Sequence, residues 1–310
     1  MLAQATADAR GWTAASIDDR ANWYYPLPEA TWAAFDQIRR QPPETLTTIH
    51  VSDSVRAACT EALKPVRFAL EFGRGFAIIE GPRGKCLPAD QAQLLYWIVG
   101  QGLGWPLAQN VQGTLLYDVR DTGQDVAKGA RFSVTSYESS FHTDNSFGSE
   151  IVDYVGLLCL QTAKVGGRSQ VLSGYAVHKE LRDRHPNVLA TLREPFHVDR
   201  RGGMREGESP TIQMPIVQWD GHSLIVRYLR YWIEAGHAKV GQPLSAFQVM
   251  ALDALDELLR RPDLHVEFDL QPGQMYFINN RWILHNRTSF EDYPEPERRR
   301  HLVRLWLRAG

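Results

Sequence analysis

The sequence predicts a mainly β protein with flanking helices. Three observations carry that expectation. Short apolar runs recur through the middle and C-terminal thirds: FSVTSYESSFHTD, IVDYVGLLCL, RSQVLS, SLIVRYL, LHVEFDL, MYFIN, WILHN and HLVRLWL. One of them alternates cleanly, with Leu264, Val266, Phe268 and Leu270 on one face and His265, Glu267 and Asp269 on the other, before the turn signal Gln271-Pro272-Gly273. Within these two thirds, helical patterns intrude at about residues 174–193 and 245–260. Many short strands with turns between them point to a β-sandwich or barrel.

In chain order, residues 1–60 are mixed, with helical pieces around 29–40 and 52–63, and are expected to pack on the outside of the core. GRGFAIIEG is then a short strand between glycines, and PADQAQLLYWIVG a helix with Pro88 at its start and Gly100 near its end. The helix at 245–260 opens on Ser245-Ala-Phe-Gln248, a capping-box pattern, and ends at Pro262. RRGGMREGESP at 200–210 is polar and Gly-rich and reads as a mobile loop. No Ser/Pro/Gly-rich linker divides the chain. A single domain over 1–310 is therefore expected, with 1–70 a peripheral helical segment and 72–310 the core with its insertions.

The 310 residues are 44% hydrophobic, ample for a large core, and carry a formal net charge of -2. That balance offers no field for nucleic acid or an anionic membrane, so a small-molecule partner is the default, with homo-oligomerisation left open. Cys59, Cys86 and Cys159 lack metal-site spacing and suggest a reducing, cytoplasmic setting. The N-terminus does not read as an export signal, and no run of 18 apolar residues is present.

Residues two apart in a strand project from one face, so His142 and Asp144 can offer an imidazole nitrogen and a carboxylate oxygen to one ion. Two histidines and one carboxylate on one side of a metal suit Fe(II) and leave positions open for a co-substrate and oxygen. His285, at the end of the apolar run WILH, is the choice for the second histidine. A second tripeptide, His197-Val-Asp199, competes. It runs straight into the charged loop at 200–210, a poor scaffold for ligand geometry, so His197 reads as a surface or loop histidine.

FHTDNSF, GGRSQVLSG, PGQMYFINNRWILHNRTSF and RRRHLVRLWLR, in that order, resemble the TauD/TfdA family of Fe(II)/2-oxoglutarate dioxygenases from about Phe72 to the C-terminus. The resemblance implies a double-stranded β-helix, a jelly-roll variant, with Fe(II) as cofactor and 2-oxoglutarate and O2 as co-substrates. It also implies hydroxylation of a small polar substrate, an amino acid or another small carboxylate or sulfonate, with release of succinate and CO2. His142, Asp144 and His285 match the family's ligands. Arg300 matches its 2-oxoglutarate arginine, and Ser169 the small hydroxyl partner after the Gly-Gly turn. Such a pair makes chemical sense, because a guanidinium takes a carboxylate bidentately while a hydroxyl satisfies a remaining lone pair. Arg304, four residues on and on the same face, falls where sulfonate-using relatives read the substrate's anionic end. Arg298 and Arg299 read as a solvated basic turn.

If the strand before the metal is continuous, Glu138 shares the face of His142 and Asp144 and looks into the pocket, where a carboxylate could receive a cationic group. Opposite Arg304, it would suit a zwitterion. Gln109-Asn110 falls where the family often lines the substrate pocket, and it equally fits a loop that bonds its own backbone. Two rival functions use the same ligands: a jelly-roll zinc hydrolase or isomerase, and a non-catalytic metal-binding protein. The pairing of Arg300 with Ser169 separates them from the oxygenase, since a hydrolase has no evident need of a carboxylate clamp.

Overall fold

The computed structural model describes residues 9–40, 45–49, 51–82, 87–124, 132–148, 150–201 and 207–310. The mobile-loop expectation at 200–210 rests largely on 202–206, outside the described residues, as does Cys86.

Strands dominate from residue 76 onward. They are β1 (Tyr24–Tyr25), β2 (Phe76–Ile79), β3 (Gly104–Leu107), β4 (Leu116–Val119), β5 (Ser139–His142), β6 (Tyr154–Gln161), β7 (Val165–Gly166), β8 (Ser169–Ser173) and β9 (Phe196–Asp199). After them come β10 (Thr211–Met214), β11 (Val217–Trp219), β12 (Leu224–Val226), β13 (His265–Phe268), β14 (Met275–Asn279), β15 (Ile283–Arg287), β16 (Phe290–Glu291) and β17 (His301–Ala309). A large sheet runs β1-β2-β14-β6-β17-β3, with β4 also on β17, and a small one runs β13-β8-β15-β5. Apart from the parallel pair β1 and β2, their pairings are antiparallel.

Two apolar clusters explain why β14 reads as an unbroken apolar run. Tyr276 and Ile278 join Val155, Trp306, Val171 and Phe268 in a cluster shared by both sheets. Met275 and Phe277, on the other face, pack with Leu158, Leu305 and the helix Ala89–Leu103. A strand buried on both sides has no polar face to display.

The N-terminal region does more than wrap the core. Helices Glu29–Ile38 and Asp53–Ala62 supply Phe35 and Cys59 to the outer cluster. Trp12 and Trp23, however, enter the inner cluster, where Trp23 meets Phe76 edge-on at 5.1 Å and Phe76 stacks on Phe268 at 5.9 Å. The outside placement expected for residues 1–60 is corrected at these two tryptophans.

Other expectations shift for local reasons. The helix at 89 continues one turn past Gly100 to Leu103, and a Cβ on Gly100 would come within 2.3 Å of Leu305 Cδ2. Gly100 marks a close helix-sheet approach rather than a terminus. The pattern at 174–193 is two helices, Gly174–Arg184 and Pro186–Leu192, because Pro186 opens a new first turn. The capping box of Ser245 and Gln248 forms as expected. Within 132–144 only Ser139–His142 is strand, preceded by a 3-10 turn at Phe132–Val134. Among the described residues no helix is long and apolar enough to cross a membrane.

Candidate metal centre

Strands β5 and β15 bring the two histidines together. They are direct partners in the register, His285 opposite His142, and their ring centroids lie 4.3 Å apart. Asp144 follows two residues beyond His142, just after β5 ends. One ligand atom from each of the three side chains lies within 4.8 Å of the others. Asp144 Oδ1 is 3.6 Å from His142 Nε2 and 3.9 Å from His285 Nε2.

The protonation states suit a metal. His142 Nδ1 lies 2.7 Å from the carbonyl of Ser140, which only a protonated Nδ1 can donate to, so Nε2 is the nitrogen left to bind an ion at the centre. Burial, with His142 alongside, pushes His285 down to about 3 and keeps it neutral. Burial also disfavours the charged form of Asp144, but Arg304 and the two histidines outweigh it and hold the carboxyl well below its usual range. Two imidazoles and one carboxylate on one side of a point are the donor set that Fe(II) takes in oxygenases.

One cavity holds this triad together with Ser169, Arg300 and Arg304. Arg304 and Trp306 lie two apart on the C-terminal strand, and Arg300, just before that strand begins, lines the same cavity. Arg300 is 5% exposed, and its Nη1 is buried without a hydrogen-bond partner among the described residues. Burial lowers its pKa only to about 10, so the cation persists at neutral pH. A buried guanidinium with an unused donor is costly unless an anion completes it. The Gly166-Gly167 turn lets Ser169 and Arg300 share the cavity: both glycines have positive φ, and a Cβ on Gly167 would sit 3.1 Å from Arg300 Nε.

Arg304 reaches the metal ligand itself. Its Nη1 lies 3.1 Å from Asp144 Oδ2 and 3.3 Å from Oδ1, while its Nε donates to Gln109 Oε1 at 2.8 Å. Of the Gln109-Asn110 dipeptide, therefore, the glutamine serves the site. Asn110 Oδ1 accepts from the backbone N–H groups of Gln112 and Thr114 and is not among the cavity-lining residues, which corrects its expected substrate role.

Glu138 is also corrected. Four residues of β5, from Ser139 to His142, lie opposite three of β15, from Arg287 to His285, so the pairing carries a β-bulge. The bulge turns Ser139 inward and leaves Glu138 exposed, accepting from Asn286 Nδ2 at 3.1 Å and absent from the cavity lining. His197 lies outside the cavity too, but on strand β9 rather than in a loop. Its Nε2 meets Gln213 Nε2 at 2.8 Å, and Asp199 pairs with Lys239 at 2.7 Å.

Several cavity or supporting residues were not singled out from sequence: Trp306, Arg287, Asn280, Arg201 and Trp232. Period two carried on from Arg304 and from His285 would have found Trp306 and Arg287. Asn280 acts through a loop contact and leaves no periodic trace.

Comparison with known proteins agrees with this geometry. Residues 32–306 match the family described as taurine catabolism dioxygenase TauD, TfdA family. FR-33289 synthase of Streptomyces rubellomurinus is 30% identical over 302 residues, covering 96% of this chain and 88% of that protein. Asparagine oxygenase, solved with Fe(II), 3-hydroxyasparagine and succinate, superposes with a TM-score of 0.65 at 19% identity, over 92% of this chain and 93% of that one. The non-heme iron oxygenase OrfP, solved with Fe and alpha-ketoglutaric acid, gives 0.65 at 18% identity over 93% and 94% of the two chains. With the family spanning nearly the whole core, the chain belongs to the TauD, TfdA family and is a dioxygenase that uses Fe(II) and 2-oxoglutarate.

Proposed function

We propose that this enzyme hydroxylates a C–H bond of a small acidic substrate, an amino acid or another small carboxylate or sulfonate, with iron held by His142, Asp144 and His285. In this reading Arg300 and Ser169 hold the distal carboxylate of 2-oxoglutarate. The carrying observation is the buried Nη1 of Arg300, without a partner among the described residues, in the same cavity as the triad. A zinc hydrolase or a purely metal-binding protein would have no use for it.

When bound, iron(II) and 2-oxoglutarate supply the oxidising chemistry, with succinate and CO2 as co-products. The protein positions the groups. Ser140 fixes the His142 tautomer, Arg300 and Ser169 set the co-substrate's far end, and Arg304 balances the charge on Asp144. Cavity walls from Val155, Leu157, Leu229 and Trp232 are apolar and would shield the reacting C–H bond from water.

A substrate acid is supported by Arg304, a guanidinium that lines the cavity beside the triad. Amino-acid products are seen with asparagine oxygenase and, as hydroxy-arginine, with OrfP. The zwitterion reading loses its amine partner with Glu138 and would need another.

The fold supports a double-stranded β-helix: β4, β17, β6 and β14 form one four-strand wall and β5, β15, β8 and β13 the other, over a shared apolar cluster. We read the chain as one domain, and the two buried free thiols, Cys59 and Cys159, accord with a reducing cytoplasmic setting.

The test is to reconstitute the protein anaerobically with Fe(II) and 2-oxoglutarate, record the visible charge-transfer band, then admit O2 with a panel of amino acids, carboxylates and sulfonates and follow succinate. Absence of the band in the wild type, or its retention in His142→Ala with loss in His197→Ala, would overturn the assignment.

A further inference from the structure

Besides Arg304, Asp144 is held by two further side chains, Asn280 and Trp306. The Asn280 carboxamide accepts from the Asp144 backbone N–H at 2.7 Å and donates to the Asp144 carbonyl at 3.0 Å and to that of Val152 at 3.0 Å. Asn280 is 2% exposed and sits in the turn between β14 and β15, five residues ahead of His285. One amide thus ties the loop that carries Asp144 to the start of the strand that carries His285. Trp306, on β17, donates its indole N–H to Asp144 Oδ2 at 2.8 Å.

We propose that Asn280 and Trp306 are positioning residues that present Asp144 to the metal through Oδ1 alone. Arg304 cannot make this choice, because its Nη1 is nearly equidistant from both oxygens at 3.1 and 3.3 Å. Trp306 distinguishes them. Its indole nitrogen is a donor only, so it can bind Oδ2 but can never release it by accepting a proton. The ring is 5% exposed and anchored between β6 and β3, opposite Val155 and Leu107 in the register, so it cannot follow a swinging carboxylate. Oδ1 is the oxygen that faces both imidazoles. A carboxylate binding through both oxygens would consume a coordination position that two chelating co-substrate atoms and O2 require. Asn280 removes the other freedom, rotation of the Asp144 main chain away from His285.

The inference rests on the proposed ligand set, and its test separates the two. Trp306→Phe keeps the ring and removes the N–H; Asn280→Asp keeps shape and acceptor and removes both donated bonds. Each is loaded with Co(II) for its d–d spectrum and with Fe(II) and 2-oxoglutarate for the charge-transfer band, and the metal-free form is melted. Trp306→Phe is expected to shift the Co(II) spectrum toward higher coordination and weaken 2-oxoglutarate about 10–100-fold, with the metal-free melting point little changed. Asn280→Asp is expected to weaken Co(II) about 10–100-fold. If it does not fold, Asn280→Ser, which retains an acceptor for the Asp144 N–H, takes its place. A Trp306→Phe protein with wild-type Co(II) spectrum and 2-oxoglutarate affinity overturns the one-oxygen claim. A folded Asn280 variant with wild-type Co(II) affinity overturns the main-chain claim. Co(II) binding that survives in His142→Ala would instead count against the ligand set beneath both.

Discussion

Gln109 grips Arg304 at both ends: its Nε2 donates to the Arg304 carbonyl at 2.9 Å and its Oε1 accepts from the Arg304 Nε at 2.8 Å. The same Nε2 donates to the Leu115 carbonyl at 2.9 Å, so β17 and the loop before β4 are joined through one side chain. Because Gln109 is 4% exposed, water cannot replace these bonds easily.

Replacing Gln109 with Leu therefore frees the Arg304 side chain. Loss of a hydrogen bond to a charged group costs about 1.5–3 kcal/mol, or roughly tenfold and upward in affinity. The expected result is a KM for the primary substrate raised about tenfold with the 2-oxoglutarate titration of the charge-transfer band unchanged. A drop in 2-oxoglutarate affinity of the same size would place Arg304 in the co-substrate site instead.

Arg300→Gln should abolish the charge-assisted clamp and leave metal binding intact. We expect 2-oxoglutarate affinity to fall by more than about tenfold, and Ser169→Ala to cost about 1 kcal/mol, close to fivefold. Anaerobic titration of the charge-transfer band measures both, with Co(II) affinity as the control.

Gly167→Ala tests the turn. With φ at +73° and a Cβ 3.1 Å from Arg300 Nε, the substitution strains the backbone and displaces the guanidinium. The expected cost is about 1–2 kcal/mol of stability by denaturant unfolding, together with weakened 2-oxoglutarate binding. Gly113→Ala, also at positive φ but in open space, should show the stability loss alone.

Acid should destabilise the metal-free protein through the triad. His285 titrates near 3 when folded against an ordinary value of 6.5, so the unfolded chain takes up its proton first and stability falls as pH drops from about 6.5 toward 3. Asp144 is depressed when folded, so its contribution is full above the ordinary carboxylate range and is lost as pH falls below it. Both slopes have the same sign. Melting temperatures of metal-free wild type and His285→Gln between pH 7 and 4 should diverge from the wild-type trend, with the variant falling less steeply.

How much of this was legible in the chain depends on what kind of contact each residue makes. Period-two spacing pointed Arg300 and Arg304 to one cavity, and the capping box at Ser245 formed as read, because both signals lie within a few consecutive residues. Glu138 failed by the same rule: alternation assumes an unbroken strand, and the bulge between Ser139 and His142 shifts its phase. Gln109 and Asn110 are adjacent and chemically alike, yet one holds Arg304 and the other caps its own loop.

The sequence by itself carried the β-rich architecture through hydrophobic period and the ligand types through residue chemistry, both local properties, while the roles proposed for Ser169, Arg300 and Arg304 came from the resemblance of ordered motifs to a family. Which of two His-x-Asp tripeptides meets a third ligand was decided only by pairing β5 with β15, which sets His142 opposite His285 while His197 pairs across to Gln213. The clamp of Asn280 and Trp306 on Asp144 joins residues 136 and 162 positions apart, and such contacts exist only once two sheets have closed over one core.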